Sequence, residues 1–212
     1  LDPTSGRDLG RPTTGLLVDS YSDKALVRGW GFGARPKVGD LLDVLVECAE
    51  RYGRLPEELI LDNANSHWAE AIQVFAVANG MHMTYRPLSQ GRFGGPVEIG
   101  FGRLTKGLLH NLRGNTKAAK LVRMLTEHTD PEKLAVLSLP ELDYLVDLFD
   151  HAEDSTRIVK ERGRTPDDAF ELGLLEHGAR ESRHVVVDDL FRITAIVEVG
   201  TRLPAREPAR AA

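Results

Sequence analysis

The chain has 212 residues, a formal net charge of −5, 42% apolar and 28% charged residues. These values are ordinary for a globular protein and leave room for one full domain plus an appendage. A lone cysteine, Cys48, excludes an internal disulfide framework and fits a reducing compartment. No apolar stretch approaches the length of a membrane span, and no signal-peptide pattern opens the chain. Residue 1 is Leu rather than Met, so the natural start is expected to lie upstream. The negative charge argues mildly against a nucleic-acid partner, but its distribution matters more than its sum.

In chain order, residues 13–19 and 24–32 read as two strands, with Ser20-Tyr21-Ser22-Asp23 as the hairpin turn between them. Residues 37–51 follow with Val38, Leu41, Leu42, Leu45 and Ala49 at helical spacing, Pro36 just before and Gly53 just after. Leu59-Ile60-Leu61-Asp62-Asn63 reads as a short buried strand that ends on a carboxylate. Residues 69–79 predict a short helix closed by Gly80, and 81–86 alternate as a further strand. A Gly- and Pro-rich loop over 87–95 leads into a helix with Pro96 at its first position, where a missing N–H costs nothing. This order is α/β. Beyond Asn115, residues 116–128 and 139–150 predict amphipathic helices, and 151–164 a polar linker or DNA-facing arm. Thr165 is expected to cap a short helix from Pro166. Val185-Val186-Val187 and the run from Ile193 to Val199 read as strands, and Leu203 to Ala212 as a disordered tail.

Asp62 and Glu98 stand out, separated by 35 residues. A carboxylate at a strand end and another in the first turn of a helix can hold a divalent cation beside a phosphodiester. Phosphoryl transfer needs the charge on attacking and leaving oxygens neutralised, which two metal ions about 3.5–4 Å apart achieve. Mg²⁺ takes hard oxygen ligands, with carboxylates, waters and phosphates completing the shell. The helix dipole favours Glu98 as an anion. Asn63 is positioned to orient Asp62 or to contact substrate. Between Ile99 and Thr126 there is no acid, yet there are six cations: Arg103, Lys106, Arg113, Lys117, Lys120 and Arg123. Arg103, Lys106, His110 and Arg113 step by three, four and three residues, so they are predicted to share one helical face. That face is either simply solvated or contacts phosphates. None of the seven histidines has zinc-ligand spacing with a cysteine. Trp30 and Trp68 are expected to pack rather than to stack on bases.

At these residues the chain resembles the DDE transposase/retroviral integrase superfamily, and more specifically the integrase-core domain of phage Mu-type transposases. Gly10-Arg11-Pro12 with Leu16-Leu17-Val18-Asp19-Ser20-Tyr21-Ser22 is similar to the family's second-strand signature. Leu59 to Asn63 resembles its second catalytic aspartate. Gln90-Gly91, Val97-Glu98 and Phe101-Gly102 resemble its catalytic glutamate helix, and Leu108 to Thr116 continues the likeness. Arg164-Thr165-Pro166-Asp167-Asp168-Ala169-Phe170 is similar to the motif before its small C-terminal barrel. The likeness spans most of residues 9–170.

The resemblance implies an RNase H-like mixed sheet with flanking helices, its opening strand truncated, followed by a helical connector and a partial β segment. The implied divisions are a catalytic core over 1–115, a connector over 116–180, and partial barrel strands with a tail over 181–212. It implies metal-dependent DNA cleavage and strand transfer with Mg²⁺ or Mn²⁺. Asp62 and Glu98 would be catalytic metal ligands, and Asn63, Arg103, Lys106, Arg113 and Lys117 would contact DNA. The implied partners are transposon-end and target DNA, further copies of the chain in a homo-oligomer, and an ATPase. The implied location is cytoplasmic, of bacterial type and nucleoid-associated. The sequence departs from the family in three places. The first catalytic aspartate would lie on a strand before Asp2, outside these residues. No basic residue flanks Glu98, and the final barrel is cut short. Asp19 reads as a turn residue. The chain is therefore expected to be catalytically impaired, and the alternative function is a DNA-binding or assembly module on the same scaffold.

Overall fold

The computed structural model describes residues 6, 10–32, 37–61, 70–86, 95–115, 134–177 and 184–196. Asp2, Asp62, Asn63, His67, Trp68, Lys117, Lys120, Arg123, the predicted helix over 116–128 and the C-terminal tail lie outside these residues. Strands β1 (Pro12–Val18) and β2 (Ala25–Phe32) form an antiparallel hairpin. Its turn is built by Asp19, whose carboxylate accepts from the Ser22 backbone N–H at 2.8 Å and the Ser22 hydroxyl at 2.7 Å. Asp23 takes the left-handed conformation, φ 62°, which short polar side chains tolerate in turns. Asp19 is thus engaged in the turn, as its position in the sequence implies.

Helix α1 (Val38–Tyr52) comes next. Asp40 in its first turn accepts from the Lys37 N–H at 2.7 Å, and Gly53 closes it with φ 63° and an N–H bond to the Ala49 carbonyl. Strand β3 (Glu58–Leu61), helix α2 (Glu70–Ala78) and strand β4 (His82–Tyr85) complete a parallel β3–β4 pair with its crossover helix. Helix α1 has two apolar stripes. Leu42, Leu45 and Ala49 pack with Leu59, Leu61, Ile72 and Phe75. Val44 and Cys48 pack with Val27. The helix therefore lies over both strand pairs, and Leu17 of β1 reaches both clusters. Each leucine buried here contributes on the order of 2 kcal/mol. Where α1 crosses β2, the strand carries Gly29 and Gly31, since a Cβ at either would collide with Val44 or Asp40. Among the described residues the two strand pairs are not hydrogen-bonded to each other.

Helix α3 (Gly95–Gly107) covers the opposite face of the hairpin. Gly100 sits on Leu16, and Gly107 lies against the Phe149 ring. The chain then passes through a 3-10 turn, Leu109–Asn111, to Gly114 at φ 84°. The single helical face predicted for Arg103, Lys106, His110 and Arg113 is therefore corrected. Only the first two lie on α3, because the helix stops at Gly107 and the backbone turns.

Helix α4 (Leu139–Thr156) opens with Ser138 and Glu141 bonded to each other and Pro140 in the first turn. It absorbs part of the segment predicted as a linker over 151–164. The rest is a tight loop closed by an antiparallel bridge between Val159 and Arg164. Helix α5 (Pro166–His177) begins as predicted, with the Thr165 hydroxyl accepting from the Asp168 N–H at 3.1 Å. It docks on the hairpin turn through Lys24–Asp167 at 2.6 Å and through Tyr21 against Gly173 and His177.

Where a strand is predicted from Ile193 onward, Ile193 and Thr194 instead close helix α6 (Asp189–Thr194), and Ala195 and Ile196 follow it outside any strand. Asp188 caps it, accepting from the Phe191 N–H at 2.8 Å, and a side-chain cap outweighs modest β propensity over so short a run. Val185 does make one extended contact, donating to the Gly53 carbonyl at 3.0 Å. Phe191 is in the core against Phe75, ring centroids 5.8 Å apart. Among the described residues no helix is long and apolar enough to cross a membrane.

Candidate nucleic-acid and metal site

The parallel β3–β4 pair positions the site. Leu61 is in register with Tyr85, and the Arg86 N–H donates to the Leu61 carbonyl at 2.9 Å. Both strands therefore end at the same edge. The chain leaves β3 directly into Asp62, and leaves β4 through residues 87–94 into α3. In open α/β sheets the carboxyl ends of parallel strands are where ligands collect. Glu98 is in the first turn of α3 with its side chain exposed.

Asp62, Asn63 and Lys117 are outside the described residues. Lys106 and Arg113 are exposed. Arg103 is half-buried and turns toward α4 rather than sharing the Glu98 face. Burial first, and then the nearby Arg157 guanidinium, hold its pKa below the usual arginine value, against the pull of Glu153, Asp154 and Asp23. Arg157 lies 3.7 Å from Glu153, with two guanidinium nitrogens that have no hydrogen-bond partner. Lys160 is exposed on the following loop. Sequence spacing alone could not pair Arg103 with Arg157, because the contact comes from α3 crossing α4.

A second polar region lies along the outer edge of β2. Asp143, Asp147, Asp150 and Asp154 recur at four, three and four residues along α4; Asp154 is buried, Asp143 and Asp150 are half-buried and Asp147 is exposed. Asp143 accepts from the Trp30 indole N–H at 2.5 Å, and Asp147 from Arg51 at 2.9 Å. Asp150 pairs with Arg28 on both carboxylate oxygens, and Asp154 accepts from the Ala25 backbone N–H at 2.9 Å. Of the four, only Asp154 accepts from the β2 backbone, while the others hold side chains of β2 and α1, and all four line a cavity of about 170 Å³. Asp154 is 4% exposed, and burial pushes its pKa up to about 6. An acidic stripe at this spacing reads as solvent-facing in a sequence, so its true role was not visible there. Among the described residues no group of three or more His, Cys, Asp or Glu is arranged to hold a metal.

No protein-family model and no curated protein matches the sequence. Solved structures do. A simian T-cell lymphotropic virus intasome in complex with the PP2A regulatory subunit B56 gamma matches at 14% identity and a TM-score of 0.50, over 83% of this chain and 52% of that one. The catalytic core domain of BIV integrase matches at 14% identity and 0.49, over 77% and 89%. The HTLV-2 integrase catalytic core in complex with magnesium matches at 14% and 0.44, over 76% and 92%. This chain spans about half the length of the first of these. At such identity the likeness is one of fold. The fold is mixed α/β, with antiparallel and parallel strand pairs flanked by helices, consistent with the RNase H-like arrangement of retroviral integrase cores.

Proposed function

We propose that this chain is the core of a DDE-type DNA recombinase of the phage Mu transposase kind. The observation that carries the reading is the Arg86–Leu61 backbone bond. It ties the residue before Asp62 to the strand that leads into the Glu98 helix. Asp62 and Glu98 would hold Mg²⁺ or Mn²⁺, since both are hard oxygen donors and Glu98 presents an exposed carboxylate at a helix N-terminus. The metal, when bound, would neutralise charge on the attacking and leaving oxygens of the phosphodiester. Asn63, Lys106, Arg113 and Lys117 would position the DNA backbone, together with Arg103 and its neighbour Arg157. The substrates would be element-end and target DNA.

Residues 1–212 contain two of the three carboxylates that the resemblance implies. Weak metal binding and slow strand transfer are therefore expected of them alone. Mn²⁺ binding followed by electron paramagnetic resonance tests the pair directly. Asp62→Asn and Glu98→Gln should each weaken it by about tenfold or more. Unchanged affinity in both variants would end the metal-site reading. The alternative reading is a DNA-binding or assembly module without catalysis on the same scaffold. Under that reading, Asp62→Ala would leave duplex binding intact and no joined product would form with either metal.

A further inference from the structure

The cavity between α4 and β2 carries more negative charge than its walls compensate. Five carboxylates line it against three cations, and each cation already has a partner. Lys24 pairs with Asp167, Arg28 with Asp150, and Arg51 with both Asp147 and Glu47. Asp143 and Asp154 remain. Among the described residues each accepts only from a neutral donor, the Trp30 indole N–H and the Ala25 backbone N–H. Neither donor cancels a charge. Asp154 is 4% exposed, and its second carboxylate oxygen makes no hydrogen bond among the described residues. Burying a carboxylate without full hydrogen bonding is costly. A buried carboxylate that is half-bonded at a cavity wall is a ready acceptor for a cationic donor.

We infer that this cavity binds a linear aliphatic polyamine, with one ammonium group at Asp154 and another toward Asp143. The two aspartates are eleven residues apart on α4, about 16 Å along its axis at a rise of about 1.5 Å per residue. One metal ion cannot reach both, and a flexible chain with ammonium groups along it can. A volume of about 170 Å³ over that length is narrow. It lies below the size of ordinary small-molecule pockets and suits an alkyl chain better than a ring. Each ammonium group offers several donors to carboxylate oxygens, and Leu26 in the wall gives the methylenes an apolar surface. The binding needs neither a metal ion nor DNA, so it stands or falls separately from the recombinase reading.

Equilibrium dialysis of the full chain against radiolabelled spermine, at low salt and without nucleic acid, should show saturable binding. Asp143→Asn and Asp154→Asn keep an acceptor for their N–H donors and should each weaken it by about tenfold or more. Glu171→Gln, at an exposed acid of α5, should leave it unchanged. Butylamine, with a single ammonium group, and Mg²⁺ should each compete about 100-fold less well than unlabelled spermine. The competition is read on the unaltered chain, so it stands even where a variant fails to fold. Absence of saturable binding overturns the inference. So does binding that ignores both aspartate substitutions, or that falls equally with Glu171→Gln. Displacement by butylamine or Mg²⁺ as effective as that by spermine also overturns it, and marks a general attraction of cations to an acidic surface.

Discussion

Replacing Asp154 with asparagine should stabilise the protein near neutral pH. The side chain is 4% exposed. Burial is the largest influence on it and raises its pKa from 3.8 to about 6. The Ala25 N–H opposes that rise, Asp150 and Asp167 add to it, and Lys24 opposes it. Arg103 of α3 and Arg28 of β2 also line the adjoining space. Because the folded-state pKa lies above the unfolded one, protonation favours the fold. That benefit is complete below 3.8, is lost as pH rises through about 6, and is absent above it. The full difference corresponds to about 3 kcal/mol. Asparagine keeps an oxygen for the Ala25 N–H and never ionises. Urea unfolding of both proteins at about pH 4.5 and about pH 8 should show the gap moving in favour of the variant by about 2 kcal/mol between the two. A gap that does not move, or that moves against Asp154→Asn, would refute burial as the dominant influence. It would show the carboxylate acting chiefly as a counter-ion for Lys24 or Arg103.

Two further outcomes follow from the packing of α1. Gly29→Ala puts a methyl group into Val44 where α1 crosses β2, and should cost about 1–3 kcal/mol in the same denaturation assay; no loss would mean that α1 can shift. Cys48 is 3% exposed and burial pushes its pKa up to about 12. Iodoacetamide should therefore label it only as fast as the protein opens, and rapid labelling of the native protein would contradict the described core.

The elements with local signals were legible. The Ser20–Asp23 turn, the Gly53 and Gly80 helix ends and the Thr165 cap all rest on chemistry within a few residues, and each is found where the sequence places it. Readings that depended on tertiary contacts fared differently. The cationic face from Arg103 to Arg113 assumed one unbroken helix, but Gly107 is committed to Phe149 and the backbone turns there. Ile193 has strand propensity, yet Asp188 begins a helix and Phe191 anchors it in the core. For the site, the sequence supplies Asp62 at a strand end and Glu98 in a first helical turn. Neither says that the two segments leave the same edge, which only the parallel pairing of Leu61 with Tyr85 shows.

Among the described residues the outer edge of β2 is faced by α4 rather than by another strand. Asp154 of that helix accepts the Ala25 N–H at 2.9 Å, and Asp143 and Asp150 hold the Trp30 and Arg28 side chains of the same strand. A bare strand edge is a template on which other chains can stack. A strand from another chain would have to displace α4 before it could pair there, so the helix shields the sheet from edge-to-edge association.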